Sequence, residues 1–128
     1  MHIGNYFGAV APLIRYAGQY DTTLFIPDYH SLTSVHDGDT LAENKKRMLQ
    51  EYVALLPENV RIFEQSAIKH INDISWILSS VTPYSLMLRA HSFKDAQNKK
   101  SDINMAVFNY PILMTADILS YDIDLVPV

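Results

Sequence analysis

The sequence predicts an α/β fold in which helices flank a parallel β-sheet. Three short apolar runs are rich in β-branched and aromatic residues and are bounded by turn formers, which is typical of strands buried on both faces. Segments with helical periodicity lie between these runs, and such alternation favours parallel strands joined by right-handed crossovers. The predicted strands are residues 22–26, 60–63 and 123–126.

The first helix is predicted over about residues 6–16, directly after Gly4. In a sheet of this kind, a helix that begins in a glycine-containing turn normally follows a strand, and no strand-like run precedes Gly4. We therefore expect the sheet to lack its first strand.

A second helix is predicted over residues 41–56, because apolar residues recur there at i, i+4, i+7 and i+8. Asp39 or Thr40 is the expected N-cap. The basic residues on this helix are interpreted as a solvated face: Lys45, Lys46 and Arg47.

A third helix is predicted over residues 71–81, with Trp76 in the core. Residues 86–93 are expected to extend it beyond the break at Thr82-Pro83. The polar span 94–102 has no apolar periodicity and is predicted to be an exposed loop.

Composition limits the class of protein. The 128 residues are 48% apolar, which fits one domain over residues 1–128 with a real core. The absence of cysteine excludes disulfide scaffolds, thiolate zinc sites and cysteine nucleophiles. A net charge of −4 gives no basic excess, so DNA binding is not expected.

Hydropathy and the N-terminus predict a cytoplasmic protein without a membrane span. The apolar stretch at residues 74–88 is interrupted by Ser79, Ser80, Thr82 and Pro83 and is shorter than the ~20 residues that a membrane helix needs. The N-terminus has no basic region before its apolar stretch, which argues against a signal peptide.

The start of the chain is a candidate anion site. His2, Gly4 and Asn5 lead into a helix, whose free N–H groups and dipole suit a phosphate. Gly4 would let a ligand approach the backbone, and His2 and Asn5 could donate hydrogen bonds. The alternative is an ordinary tight turn.

A second candidate site combines Tyr110, Met114 and Asp117. Pro111 suits the first turn of a helix over residues 112–120, which places Met114 and Asp117 on one face with Tyr110 near its mouth. Asp117 is either a surface carboxylate stabilised by the helix dipole, which the spacing alone favours, or the acceptor of a ligand N–H such as that of an indole.

Histidines give one further candidate. His30 follows the first predicted strand, at the carboxyl end where open α/β sheets bind ligands, so it either lines a pocket or is solvated. The other histidines, His36, His70 and His91, lack the spacing of metal ligands, and no metal site is predicted.

Several motifs resemble those of the tryptophanyl-tRNA synthetases, which are class I aminoacyl-tRNA synthetases. His2-Ile3-Gly4-Asn5 is similar to the class I "HIGH" signature, and Phe63-Glu64-Gln65-Ser66 and Phe93-Lys94-Asp95 are similar to further family segments. The longest match is the run 110–119, YPILMTADIL, followed by 124–128, DLVPV, which distinguishes this family from the tyrosyl enzymes.

The resemblance implies a Rossmann-like domain that uses ATP and Mg²⁺ to form tryptophanyl-adenylate and then charges tRNA(Trp). His2, Gly4 and Asn5 would bind ATP, with His2 and Asn5 acting catalytically on the α-phosphate. Asp117 would accept from the indole N–H. The resemblance also implies a homodimer with contacts near residues 93–110. The residues implied to surround the tryptophan ring are His30, Tyr110, Met114, Val126 and Val128.

Some family segments are absent from these 128 residues: the first strand, a Gly-x-Asp-Gln segment, a KMSKS-type loop and the anticodon-binding region. Because electrostatic stabilisation is usually the largest catalytic contribution, we expect these residues alone to activate tryptophan poorly or not at all. The alternatives are a non-catalytic module that binds tryptophan or a nucleotide, and a tyrosyl-type enzyme that binds tyrosine.

Overall fold

The computed structural model describes residues 2–99 and 103–126, which form two compact units. The first unit comprises residues up to 28 together with 35–65, and the second comprises residues 29–34 and those from 66 onward. The single domain expected over residues 1–128 stays a prediction.

The first unit begins with continuous helical backbone. Helix α1 (Ile3–Asn5), a π-helical turn (Tyr6–Val10) and helix α2 (Ala11–Ala17) follow one another directly, where a helix was predicted over 6–16. Pro12 has no N–H to donate four residues back, so the α-helical ladder is interrupted near this point.

A parallel pair of strands forms the sheet of the first unit. Strand β1 (Thr23–Ile26) pairs in register with β2 (Arg61–Glu64), from Thr23 opposite Arg61 to Ile26 opposite Glu64. Two of the predicted strands and the α/β class with flanking helices are thereby confirmed.

The third predicted strand, at residues 123–126, is wrong. The described part of the chain forms a two-stranded sheet, and residues 123–126 have no strand backbone. A strand requires ladder hydrogen bonds to a neighbour. Apolar composition without such a neighbour leaves Ile123, Leu125 and Val126 at least 41% exposed.

Helix α4 (Gly38–Leu55) lies between the strands in sequence and packs against β1. Its N-cap is Asp37, whose Oδ1 accepts the Thr40 N–H at 2.8 Å, so the predicted cap at Asp39 or Thr40 is wrong. Asp37 satisfies an N–H that would otherwise lack a partner in the first turn. The core of this unit is formed by Val10, Ala17, Leu56 and Val60.

The second unit is built mainly from helices. Helix α3 (Asp28–Ser31) follows β1 along the chain, and Gln65–Ala67 form a 3₁₀ turn after β2. Helix α5 (Ile71–Val81) packs against α8 (Met105–Ser120), and Ile71 and Ala116 are fully buried in this unit.

Two short helices lie between α5 and α8. Helix α6 (Tyr84–Met87) begins after Pro83, and α7 (His91–Asn98) extends into the span predicted to be a loop. The loop prediction is therefore wrong as far as residue 98. A Lys99–Asp95 ion pair of 2.7 Å, four residues apart, stabilises the end of this polar helix.

Helix α8 begins earlier than predicted. Asn104 is its N-cap and accepts the Val107 N–H at 3.0 Å, so Pro111 lies inside the helix and not in its first turn. Tyr110 consequently lies within α8, two turns before Asp117.

Trp76 is 78% exposed, and its prediction as a core residue is wrong. On α5, Trp76 lies among the exposed polar residues Asn72, Asp73 and Ser80 and on the other side from the buried Ile71, so the helical period itself indicates a surface position. The same exposed face carries Ile77 and Val81.

Within the described residues, no helix combines the length and the apolar character needed to cross a membrane.

Candidate functional site

A buried hydrogen bond joins His30 of α3 to Asp117 of α8. His30 Nε2 lies 2.8 Å from Asp117 Oδ2, and the two side chains are 10% and 4% exposed. The interpretations of Asp117 as a surface carboxylate and of His30 as a solvated loop residue are therefore wrong.

In the hydrogen bond between His30 and Asp117, the histidine is the donor and the carboxylate is the acceptor. An ionised carboxylate only accepts hydrogen bonds, so His30 Nε2 carries the proton and donates it. A carboxylate has several lone-pair positions on its two oxygens, and one donor at Oδ2 is compatible with another donor from a ligand. Burial strengthens each such interaction because little water competes for it.

Tyr110 completes the cluster. Its ring centroid lies 4.3 Å from that of His30, with 53° between the ring planes. The backbone around His30 is also held: Thr33 Oγ1 donates to the His30 carbonyl at 2.8 Å, and Asn104 Nδ2 donates to the Thr33 carbonyl at 3.2 Å. The structure thus brings together three of the residues that the sequence singled out.

Two of the other predicted ring contacts, Met114 and Val126, are partly exposed. Met114 is one turn from Tyr110 on α8 and is 46% exposed. Val126 lies beyond the end of α8 and is 43% exposed. Val128 lies outside the described residues.

Tyr121 is a neighbour of the cluster that the sequence analysis missed. It caps the C-terminus of α8, four residues after Asp117. Burial, and secondarily the negative charge of Asp117, raises the pKa of Tyr121 to about 12. The i, i+4 spacing from Asp117 was the available signal, but the predicted helix ended at Ser120.

We expect Tyr121 to ionise later than an ordinary tyrosine in an alkaline titration followed by tyrosinate absorbance. The raised pKa favours the neutral phenol in the folded state, so its stabilising contribution is present below pH 10 and is lost as the pH approaches 12. Burial also raises the pKa of Tyr52, so the matched control is Tyr52→Phe. The ionisation near pH 12 should disappear in Tyr121→Phe and remain in Tyr52→Phe. If it remains in Tyr121→Phe, the assignment is wrong.

The candidate anion site at the start of the chain lies in the first unit. His2 caps α1: its Nδ1 accepts the N–H of Gly4 at 3.1 Å and that of Asn5 at 3.3 Å. The Asn5 side chain in turn accepts the His2 N–H at 3.4 Å. These three residues therefore form one hydrogen-bonded cluster, in which the helix N–H groups are held by the imidazole.

Gly4 lies close to the imidazole of His2. A Cβ atom built at Gly4 would lie 3.0 Å from His2 Cε1 and 3.1 Å from Nδ1. Since real Cβ contacts are rarely so close, a side chain here would require the imidazole to shift by a few tenths of an ångström. Close packing of the ring favours a small residue here, in addition to the access of a ligand to the backbone that the sequence predicts.

Lys45 differs from its sequence interpretation as a solvated residue. Its Nζ lies 3.1 Å from Asp28 Oδ2 and 2.6 Å from Glu64 Oε2, and its side chain is 24% exposed. Glu64, and to a lesser extent Asp28, raises the pKa of Lys45, although burial opposes them. Because Asp28 follows β1 and Glu64 ends β2, Lys45 links the carboxyl ends of the two strands.

Three or more histidine and acidic side chains with the geometry of a metal site do not occur together within residues 2–99 and 103–126.

A family model described as "tRNA synthetases class I (W and Y)" matches residues 1–128. The chain belongs to the class I tRNA synthetases of this group. The resemblance found in the motifs is thereby confirmed.

Curated relatives of this synthetase chain include tryptophan enzymes. It is 45% identical over 130 residues to the tryptophan--tRNA ligase of Fusobacterium nucleatum, and the match covers 100% of the chain and 40% of the relative. It is 38% identical to that of Campylobacter jejuni, with 100% and 41% covered. The synthetase chain thus spans about two fifths of the length of these curated relatives.

Solved structures agree with the fold of the synthetase chain. The tryptophanyl-tRNA synthetase of Campylobacter jejuni complexed with ADP and tryptophan has a TM-score of 0.86 at 37% identity, covering 92% of this chain and 38% of that one. The enzyme of Mycoplasma pneumoniae has a TM-score of 0.88 at 28% identity, covering 100% and 38%.

Proposed function

We propose that this chain forms the tryptophan- and ATP-binding part of a tryptophan--tRNA ligase. The observation that carries the proposal is the buried Asp117 carboxylate, which lies beside the rings of His30 and Tyr110 in a member of the synthetase family. A buried carboxylate suits a ligand with an apolar body and one N–H donor, and an indole is such a group.

Tryptophan would bind in the second unit with its indole N–H donating to Asp117. Tyr110, His30, Met114, Val126 and Val128 would contact the ring. A site built around a buried polar group rejects ligands that leave this group unpaired, so Asp117 would provide selectivity as well as affinity.

ATP would bind at the start of the first unit, next to His2, Gly4 and Asn5. Since Nδ1 of His2 accepts from the backbone, a neutral ring carries its proton on Nε2, which makes Nε2 the donor to a phosphate oxygen. Asn5 would donate through its side-chain amide.

In the proposed reaction, the carboxylate of tryptophan attacks the α-phosphorus of ATP. The bond from this phosphorus to the bridging oxygen breaks, pyrophosphate leaves, and tryptophanyl-adenylate forms. His2 and Asn5 would stabilise the charge that develops on the α-phosphate oxygens. A ribose hydroxyl of tRNA(Trp) would then attack the carbonyl carbon of the adenylate, the bond from this carbon to the phosphate oxygen would break, and AMP would leave as the ester forms and the hydroxyl loses its proton. The protein would act in the cytoplasm.

Magnesium would reach the site on ATP. The described residues offer no acidic cluster for a dedicated site, and Mg²⁺ commonly binds through substrate phosphates and water. No residue of the described ranges is therefore assigned as a magnesium ligand.

ATP–pyrophosphate exchange tests this function on the protein that contains these residues. We expect exchange to depend on tryptophan and not on tyrosine, and to be lost in Asp117→Ala. Tryptophan binding without exchange would support the alternative of a non-catalytic binding module. Exchange that depends on tyrosine would contradict the proposal and support a tyrosyl-type enzyme.

We further propose that the protein is a homodimer. Near the contact region expected at residues 93–110, Phe93 and Phe108 pack edge to face at 5.1 Å within the unit. More apolar surface is exposed on α5 and α6, beside a cavity of about 400 Å³ that Leu86 and Met87 help to line. The exposed residues there are Trp76, Ile77, Val81 and Tyr84.

Replacing Trp76 by lysine is expected to weaken self-association by at least about tenfold, because exposed tryptophans often dominate interfaces. Sedimentation at several concentrations measures this effect, and Trp76 is the chain's single tryptophan, so its fluorescence reports burial directly. Val53→Lys, on the 66% exposed Val53 of α4, is the matched control. A monomer at all concentrations, or equal effects of both variants, would contradict the proposal.

A further inference from the structure

The orientation of the Asp117 carboxylate is held from one side by His30. The 2.8 Å contact from Nε2 to Oδ2 restrains the rotation of the carboxylate, and both groups are at least nine-tenths buried. An acceptor serves a ligand donor only when its lone pairs point toward that donor. The group that turns the carboxylate therefore influences which ligands it can serve.

His30 is itself held firmly enough to act in this way. The Tyr110 ring lies against the imidazole at 4.3 Å, and the Thr33 hydroxyl fixes the His30 carbonyl. Asn104, the N-cap of α8, holds the next turn through the Thr33 carbonyl. The helix that carries Asp117 and the segment that carries His30 are thus bonded at two separate points.

We infer that His30 is a positioning residue, which orients Asp117 toward the indole N–H and thereby sets the selectivity for ligands that carry this donor. The inference rests on the proposed function, since it concerns the same tryptophan site. It assigns His30 a role beyond contact with the ring.

A role of His30 as a ring contact and a role as a positioning residue predict different effects on ligand affinity. A ring contact contributes equally to tryptophan and to an analogue of the same shape. A positioning residue contributes only to a ligand whose N–H meets Asp117. The analogue β-(3-benzothienyl)alanine, in which sulfur replaces the indole N–H, separates the two, because it keeps the bicyclic shape and lacks the donor.

The measurement is the ratio of the dissociation constants of the benzothienyl analogue and of tryptophan. We expect a ratio of about 100 in the unaltered protein, since a ligand without the donor leaves a buried acceptor unpaired. In Asp117→Ala the ratio should fall to about 1. In His30→Leu, which keeps apolar bulk but has no donor, it should fall to about 10 or less.

His30→Gln is the matched rescue variant, because its amide Nε2–H can reach the position of the histidine Nε2. We expect it to retain a ratio above that of His30→Leu. If His30→Leu does not fold, ¹⁵N spectra of the ring nitrogens give the answer: Nε2 should be protonated and should shift in Asp117→Asn. An Nε2 without a proton, or without a shift, would overturn the inference.

The outcomes also separate this inference from the proposed function. If the unaltered protein prefers tryptophan and His30→Leu keeps the same ratio, the function stands and the positioning role is wrong. If the unaltered protein binds neither ligand, or does not distinguish them, the proposed function fails and this inference fails with it.

Discussion

Replacing Asp117 by alanine is expected to weaken tryptophan binding by about 100- to 1000-fold. The substitution removes the acceptor proposed for the indole N–H, and it leaves the His30 Nε2–H without the carboxylate that lies 2.8 Å away. Both losses occur at a buried position, where water compensates little. Calorimetric titration with tryptophan measures the change directly.

Two further variants serve as controls for the charge of Asp117 and for the loss of a carboxylate elsewhere. Asp117→Asn keeps an oxygen acceptor without the charge, so we expect an intermediate loss of about tenfold. Asp124→Ala removes an exposed carboxylate nearby in sequence and should leave affinity within about twofold. If Asp117→Ala binds as tightly as Asp124→Ala, Asp117 is not part of the tryptophan site.

Replacing Lys45 by methionine is expected to lower the free energy of unfolding by about 2 kcal/mol. The substitution keeps the aliphatic stem but removes the cation from Asp28, which is only 5% exposed, and from Glu64. The partial exposure of Lys45 places the effect below that of a fully buried pair. Urea unfolding measures it.

Lys46→Met is the matched control, because Lys46 is exposed on the same helix, and it should change stability by less than about 0.5 kcal/mol. The pH dependence provides a second check. The raised pKa of Lys45 means that its contribution is present below pH 10.5 and is lost as the pH rises above this value. Equal stability of the two variants at neutral pH would contradict the assignment.

The sequence could predict the elements that short runs of strand-forming residues between turn formers define. Residues 22–26 and 60–63 are such runs and do form paired strands, shifted by one residue at most. Helix α5 was predicted with its observed bounds, because Pro83 and the apolar pattern limit it. Local composition is sufficient to predict an element when its bounds are set by neighbouring turn formers or proline.

The wrong predictions concern residues whose structure or burial depends on a partner that is distant in the sequence. Residues 123–126 have strand-like composition but no neighbouring strand among the described residues. Lys45 is charged yet is drawn into a half-buried position by two carboxylates that lie 17 and 19 residues away.

The candidate site was predictable in part. Spacing alone favoured a surface position for Asp117, and the resemblance to a family was needed to place it at a ligand. The pairing with His30 spans 87 residues, so no local pattern could reveal it. The cap that His2 makes to its own helix depends on ring rotation, which sequence does not specify.

The most direct test of this account is a calorimetric titration of the chain with tryptophan and, separately, with tyrosine. We expect one tryptophan site and at least about tenfold weaker binding of tyrosine. The phenol of tyrosine can also donate to Asp117, so this difference arises from the shape of the ring alone. Binding of tyrosine as tight as that of tryptophan, or no binding of either, would contradict it.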